Sequence, residues 1–252
     1  METAAWFGDT LVTRRAGSEQ LSHHAFIVYR GFPGEPPPAE AQKYAKLPKN
    51  TTIAEALHNA TGADVYVPQY EGLGASRGKF SFSNSVERSL AFAQDLASRG
   101  HERIHIAGYS WGGLVGFNAH RALGARRGLL ILISALSDLG DDARIRAFLP
   151  YYIANYPNIF GASPGALEAA AADLGRVRDR YNPLSLAQQA PLSGQGLLLV
   201  HGSLDEEVSP ELSRRFKAFA PGRLAEWADD HSYSRSWPRM LAEICAFAQN
   251  GR

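Results

Sequence analysis

The chain has 252 residues, 45% of them apolar and 20% charged, and its 26 Lys plus Arg nearly balance 25 Asp plus Glu for a formal net charge of +1. That length suits one α/β domain, or a compact core with a modest insertion, and the balanced charge excludes the basic face of a nucleic-acid or membrane-surface binder. The single cysteine, Cys245, cannot form an internal disulfide or a cysteine cluster for zinc.

The N-terminal METAAWFGDTLVTRR lacks the basic start and apolar stretch of a secretory leader, and no run is long enough to span a bilayer. A soluble, cytoplasmic protein is expected. The first twenty residues carry only a weak hairpin signal. From about residue 24, short apolar runs alternate with helical patterns, a rhythm that predicts a mostly parallel sheet flanked by helices. The expected strands are 25–29 (AFIVY), 64–67 (DVYV), 104–108 (IHIAG), 129–134 (LLILIS), 197–200 (LLLV) and 223–227.

Residues 33–50, rich in proline and lysine, read as a surface loop after the first of these strands. A helix is expected over 85–98, with Val86, Leu90, Ala93 and Ala97 inward, a capping box of Asn84 and Glu87 at its start and Gly100 at its end. Ser209 with Pro210 opens another, with Leu212, Phe216 and Phe219 inward, and Ser236 with Pro238 opens the last. Residues 139–193 show no strand pattern but do show alanine-rich helical stretches and aromatic clusters. They read as a small helical cap inserted into a core made of 1–138 and 194–252.

The segment HIAGYSWGG over 105–113 runs a strand directly into Gly108-Tyr109-Ser110-Trp111-Gly112, with helical residues after it. Strand, sharp turn and helix are the setting of a nucleophile elbow, in which the serine takes a strained backbone conformation and flanking glycines clear space for the turn. A hydroxyl needs a base to become a nucleophile, and the base needs an acid to orient it. Asp205 follows the strand GLLLV, and His231, the one histidine beyond it, follows the last strand, so the order is Ser, Asp, His. Asp138, Glu206 and Glu207 stand as alternative acids. The other histidines, His201 included, sit in strands, in helices or near element ends and read as structural.

Acyl transfer also needs donors for an oxyanion. One is the N–H of Trp111, the residue after the serine. The other is expected from the loop YRGFPG over 29–34, as the N–H of Phe32 or the phenol of Tyr29.

These motifs, with PQYEGLGAS over 68–76, YNPLSLA over 181–187, HGSLDEEVSP over 201–210 and DDHSYS over 229–234, resemble the α/β-hydrolase superfamily across residues 24–250. The likeness is nearest to the catalytic domain of the prolyl oligopeptidase family and its small esterase relatives. The resemblance implies a Ser110, Asp205, His231 triad. It also implies that Tyr29 gives its hydroxyl to the oxyanion hole, as in prolyl oligopeptidases, or that the following turn gives a main-chain amide, as in many esterases. Residues 1–23 hold nothing able to form the peptide-selecting propeller of those peptidases, so proline-specific cleavage is not implied.

The expected activity is therefore hydrolysis of an ester, thioester or activated amide of a small acyl substrate through an acyl-enzyme, with no metal or organic cofactor. Tyr151, Tyr152 and Tyr156 of the cap are candidates to line the pocket. The competing readings are an acyltransferase or aminopeptidase-like enzyme on the same triad, and a ligand-binding member of the fold without catalysis.

Overall fold

The computed structural model describes residues 1–34, 50–161, 163–192 and 196–251, so the loop expected over 33–50 lies almost wholly outside the described residues. The strands are β1 (Glu2–Phe7), β2 (Thr10–Arg15), β3 (His24–Tyr29), β4 (Asp64–Pro68), β5 (Arg103–Tyr109), β6 (Arg127–Ile133), β7 (Leu197–Gly202) and β8 (Arg223–Trp227). They form one sheet in the order β1-β2-β4-β3-β5-β6-β7-β8. β3 to β8 are parallel, and β1 and β2 extend the sheet antiparallel beside β4. Six of these strands match the expected ones to within two residues at each end. The weak N-terminal signal proves to be the β1–β2 hairpin; five of the six β1 residues are exposed, so no apolar alternation marks it.

The helices are α1 (Asn50–Thr61), α2 (Phe82–Ser98), α3 (Trp111–Ala122), α4 (Asp142–Asn155), α5 (Pro157–Phe160), α6 (Ala166–Tyr181), α7 (Pro183–Gln189), α8 (Glu211–Lys217) and α9 (Trp237–Asn250). Among the described residues, no helix is long and apolar enough to cross a membrane.

Two apolar layers hold the sheet, and the strands feed them alternately. In β3, Ala25, Ile27 and Tyr29 join Phe117, Leu96 and Phe216 on one side, while Phe26 and Val28 join Leu57, Met240 and Ile244 on the other. β6 and β7 alternate in the same way, as the period of two in a strand requires. Full burial of a side chain such as Ile27 or Leu132 contributes about 2 kcal/mol.

The structure corrects three local expectations. α2 begins earlier than predicted, because Ser81 Oγ accepts from Asn84 N at 3.0 Å and Phe82 enters the core. Asn84 is not the cap; its amide donates to Glu71. The Ser209 side chain makes no cap for α8, where Ser209 uses its main-chain oxygen instead, and Phe219, beyond the end of that short helix, is exposed. Residues 139–193 hold α4 to α7 and, among those described, no strand. Leu174 and Val177 of α6 and Leu184 and Ala187 of α7 are buried in the same cluster as the sheet residues.

Candidate active site

In the parallel register, Tyr29 of β3 lies beside Gly108 of β5, Tyr109 beside Ile133 of β6, and Ile133 beside Val200 of β7. The C-terminal ends of these strands therefore line up along one edge of the sheet, where open parallel sheets place their ligand sites.

Ser110 turns the chain from β5 into α3 with φ 55° and ψ −120°, a conformation that costs a non-glycine residue energy. Main-chain hydrogen bonds clamp it: Ser110 N donates to Ile133 O at 2.9 Å, and Ser110 O accepts from Gly113 N at 2.9 Å and Leu136 N at 3.1 Å. The turn is so tight that a Cβ on Gly108 would lie 2.2 Å from Gly112 O, and one on Gly112 would lie 2.2 Å from Tyr29 O. Both positions need glycine because backbone fills the space.

Trp111 is the first residue of α3, so its N–H has no intrahelical acceptor and points out of the helix start beside Ser110. Its indole donates to Ser85 Oγ at 3.1 Å. The loop after β3 abuts the nucleophile: a Cβ on Gly31 would lie 3.3 Å from Ser110 Cβ. Tyr70 Oη donates to Arg30 O at 2.8 Å and holds this loop.

Tyr29, the alternative oxyanion donor, has its hydroxyl engaged elsewhere. Its side chain is fully buried and its hydroxyl donates to Ser89 O at 3.0 Å. The phenol therefore belongs to the core of β3 and α2. Phe32 takes a different place, its ring packed against Phe80 at 4.7 Å, Phe82 at 5.2 Å, Tyr152 at 5.4 Å and Phe160 at 5.9 Å between centroids.

Of the three pocket tyrosines, Tyr152 is the one whose ring meets Phe32. Tyr156 is buried and stacks behind it at 6.2 Å, and Tyr151 is 49% exposed with its ring against Tyr152. Phe80 and Phe82 went unrecognised in the sequence. The spacing in KFSF, two aromatics on the same side of an extended segment, was the available signal.

Asp205 and His231 meet directly. His231 Nδ1 donates to Asp205 Oδ2 at 2.7 Å, with both residues buried. Asp205 Oδ1 accepts from Val208 N at 2.8 Å and Glu207 N at 3.0 Å. Burial pushes the Asp205 carboxyl up, but hydrogen bonds from His201 and His231, the charge of His231 and the Val208 N–H together hold it far below the usual carboxylate range. Burial likewise pulls His231 down, yet the Asp205 hydrogen bond and the charges of Asp205, Glu207 and Asp230 leave it net raised.

Asp138 is occupied elsewhere, accepting from Asn182 Nδ2 at 3.0 Å and Gly140 N at 3.1 Å. Glu206 is exposed, and Glu207 places Oε2 3.9 Å from His231 Nε2. Among the described residues no hydrogen bond joins the Ser110 hydroxyl to His231; apo sites often hold this contact open and tighten it with substrate.

Main-chain contacts fasten the acid loop to the base loop. Ser203 N donates to Trp227 O at 2.8 Å, and Leu204 N to Asp229 O at 3.0 Å. Asp229, fully buried, accepts from Asp230 N at 2.9 Å and Ser236 N at 2.7 Å and shapes the turn that presents His231. Ser236 thus stands at the start of α9, as expected, but gives its hydroxyl to Asp229. Tyr109 is a third residue here that sequence reasoning missed: its hydroxyl donates to His231 O. A cavity of about 350 Å³ lies at the other edge of the sheet, among Arg103 and Arg127 at the starts of β5 and β6, away from these residues.

Comparison with curated protein sequences gives no match. Among solved structures, the fold is similar to a hydrolase from Pseudomonas aeruginosa PA01 (TM-score 0.63, 17% identity, covering 98% of this chain and 97% of that one). It is also similar to a monoacylglycerol lipase of Paleococcus ferrophilus (TM-score 0.66, 15% identity, 97% and 100%). A third likeness is to alpha/beta hydrolase domain-containing protein 10 from mouse (TM-score 0.67, 14% identity, 99% of each chain). At these identities the likeness is one of fold. A profile of the Alpha/beta hydrolase family matches residues 47–247, most of the chain; with the sheet order and the turn at Ser110 described above, this chain belongs to the Alpha/beta hydrolase family.

Proposed function

We propose that this chain is a serine hydrolase that cleaves a carboxylic ester, thioester or activated amide of a small molecule through an acyl-enzyme. The observation that carries the reading is the buried 2.7 Å hydrogen bond from His231 Nδ1 to Asp205, at the sheet edge where Ser110 sits at φ 55°.

In this scheme Ser110 Oγ attacks the carbonyl carbon as His231 Nε2 takes its proton. Asp205 fixes the imidazole with its proton on Nδ1 and stabilises the cation that forms. The N–H groups of Trp111 and Phe32 receive the oxyanion. On collapse the bond to the leaving group breaks, and that group takes the proton from His231. Water, deprotonated by the same nitrogen, then releases the acid and restores Ser110. The scheme needs no metal or organic cofactor.

Residues 139–193, with α4 to α7, serve as the cap at this edge. The ring cluster of Phe32, Phe80, Phe82, Tyr152 and Phe160 supports an apolar acyl group, because such a wall returns nothing for desolvating a charged one. Fluorophosphonate labelling with p-nitrophenyl ester turnover tests the reading. Ser110→Ala is expected to lose both, and undiminished turnover in that variant eliminates it.

A further inference from the structure

The Asp205 carboxylate serves two imidazoles. Its Oδ2 faces His231 Nδ1 at 2.7 Å and, from the C-terminal end of β7, His201 Nε2 at 3.2 Å. His201 is the penultimate residue of β7 and fully buried. Its remaining contacts fix its own proton: Nε2 lies 2.8 Å from Val208 O, which can only accept, so Nε2 carries hydrogen; Nδ1 lies 2.7 Å from Ser213 Oγ, whose hydroxyl can donate to it. A ring protonated on Nε2 gives that N–H to Val208 O and leaves it 3.2 Å from Asp205 Oδ2 on its other side.

We infer that His201 is a positioning residue of the triad, donating from Nε2 to Asp205 so that the carboxylate keeps the orientation His231 needs and presents less than its whole charge to it. The inference rests on the serine-hydrolase reading above and adds a residue to it. Oδ1 is held by the Val208 and Glu207 amides, so without His201 the Oδ2 side is held by His231 alone. Two consequences follow. The carboxylate turns more freely about Cβ–Cγ, and a misplacement of that kind in a supporting group lowers the chemical step rather than binding. The charge no longer shared with His201 falls on His231, so its imidazolium is favoured and the base stays protonated to higher pH. The other groups facing His231 are unchanged in this comparison: Glu207 and Asp230 supply negative charge, and Tyr109 supplies the hydroxyl at its main-chain oxygen.

The two amide isosteres separate this role from packing. Gln reaches the Nε2 position and keeps a donor toward Asp205; Asn reaches only the Nδ1 position, beside Ser213. His201→Asn is expected to lower kcat about ten- to a hundredfold with KM little changed, and to move the acid limb of kcat/KM to higher pH. His201→Gln is expected to stay within a few fold of wild type with the limb unmoved. Equal losses in both variants with an unmoved limb, or a folded His201→Asn with wild-type kcat, overturn the inference.

A measurement on the unmutated protein decides the matter even if a variant fails to fold. Imidazole ¹⁵N NMR is expected to find His201 carrying its proton on Nε2. The opposite tautomer has no proton to give Asp205 and overturns the role. Turnover that survives Ser110→Ala is a different result, which removes the serine-hydrolase reading itself.

Discussion

The Tyr109 hydroxyl donates to the main-chain oxygen of His231 at 2.7 Å, joining the residue before Ser110 to His231 across 122 positions of sequence. The rings lie 5.2 Å apart, so Tyr109 forms a wall behind the imidazole as well as a tether. Burial pushes its phenol well above the usual range, which keeps it a donor at any physiological pH. Tyr109→Phe keeps the wall and removes the tether. It is expected to cost about 1–2 kcal/mol of stability, since the His231 carbonyl loses its partner, and to lower kcat by about tenfold with KM little changed. Denaturant unfolding and steady-state kinetics on one ester check both.

Tyr29 separates the two sources of the oxyanion hole. Because its hydroxyl is spent on Ser89 O in the core, Tyr29→Phe is expected to leave kcat within about twofold while reducing stability by about 1 kcal/mol. An oxyanion donor behaves otherwise, its loss costing about a hundredfold or more in kcat. A rate loss of that size with stability intact would return Tyr29 to the site.

Under the proposed mechanism His231 must be neutral to accept the Ser110 proton, so activity is expected to rise with pH through its pKa. Burial lowers that pKa, but Asp205, Glu207 and Asp230 outweigh it, and the acid limb of kcat/KM is expected above the ordinary imidazole value. Glu207→Gln removes one of those charges, 3.9 Å from Nε2, and is expected to move the limb to lower pH. The Glu207 side chain is 56% exposed, so added salt is expected to shrink the difference between variant and wild type. A limb that ignores both the substitution and the salt contradicts the assignment of His231 as the base.

His120, on the helix that follows the nucleophile, is buried with Nε2 donating to Gly128 O at 3.0 Å, and burial lowers its pKa from the ordinary 6.5 to about 4. The folded state thus binds fewer protons than the unfolded one between those values. The stability this group contributes is complete above pH 6.5 and is lost as pH falls toward 4. The loss amounts to about 3 kcal/mol over that window. His120→Gln keeps a donor for Gly128 and removes the titration, so the stability gap between wild type and variant is expected to close by about 2 kcal/mol from pH 7 to pH 4.5. Urea midpoints at the two pH values measure it.

The sequence by itself determined the parallel sheet, because strands buried on both faces must be apolar runs and the runs stand out between helical patterns. It also determined the turn at Ser110, since Gly108 and Gly112 occupy places where backbone atoms of Gly112 and Tyr29 leave no room for a Cβ. The order of Ser110, Asp205 and His231 was legible for the same reason: each follows a strand and lands at the same sheet edge.

Only the tertiary structure shows the partner of the Tyr29 hydroxyl, because the direction of a buried hydroxyl depends on which carbonyl the facing helix brings, here Ser89 of α2. The partners of Asp138 and Asp205 became visible in the same way, Asn182 and Gly140 claiming one carboxylate and His231 the other. The contact of Tyr109 had no local signature, because its hydroxyl meets the main-chain oxygen of His231, 122 positions away. His201 stands only four residues before Asp205, but the direction of its ring is set by Val208 and Ser213, and such meetings follow from how strands and loops pack together rather than from spacing along the chain.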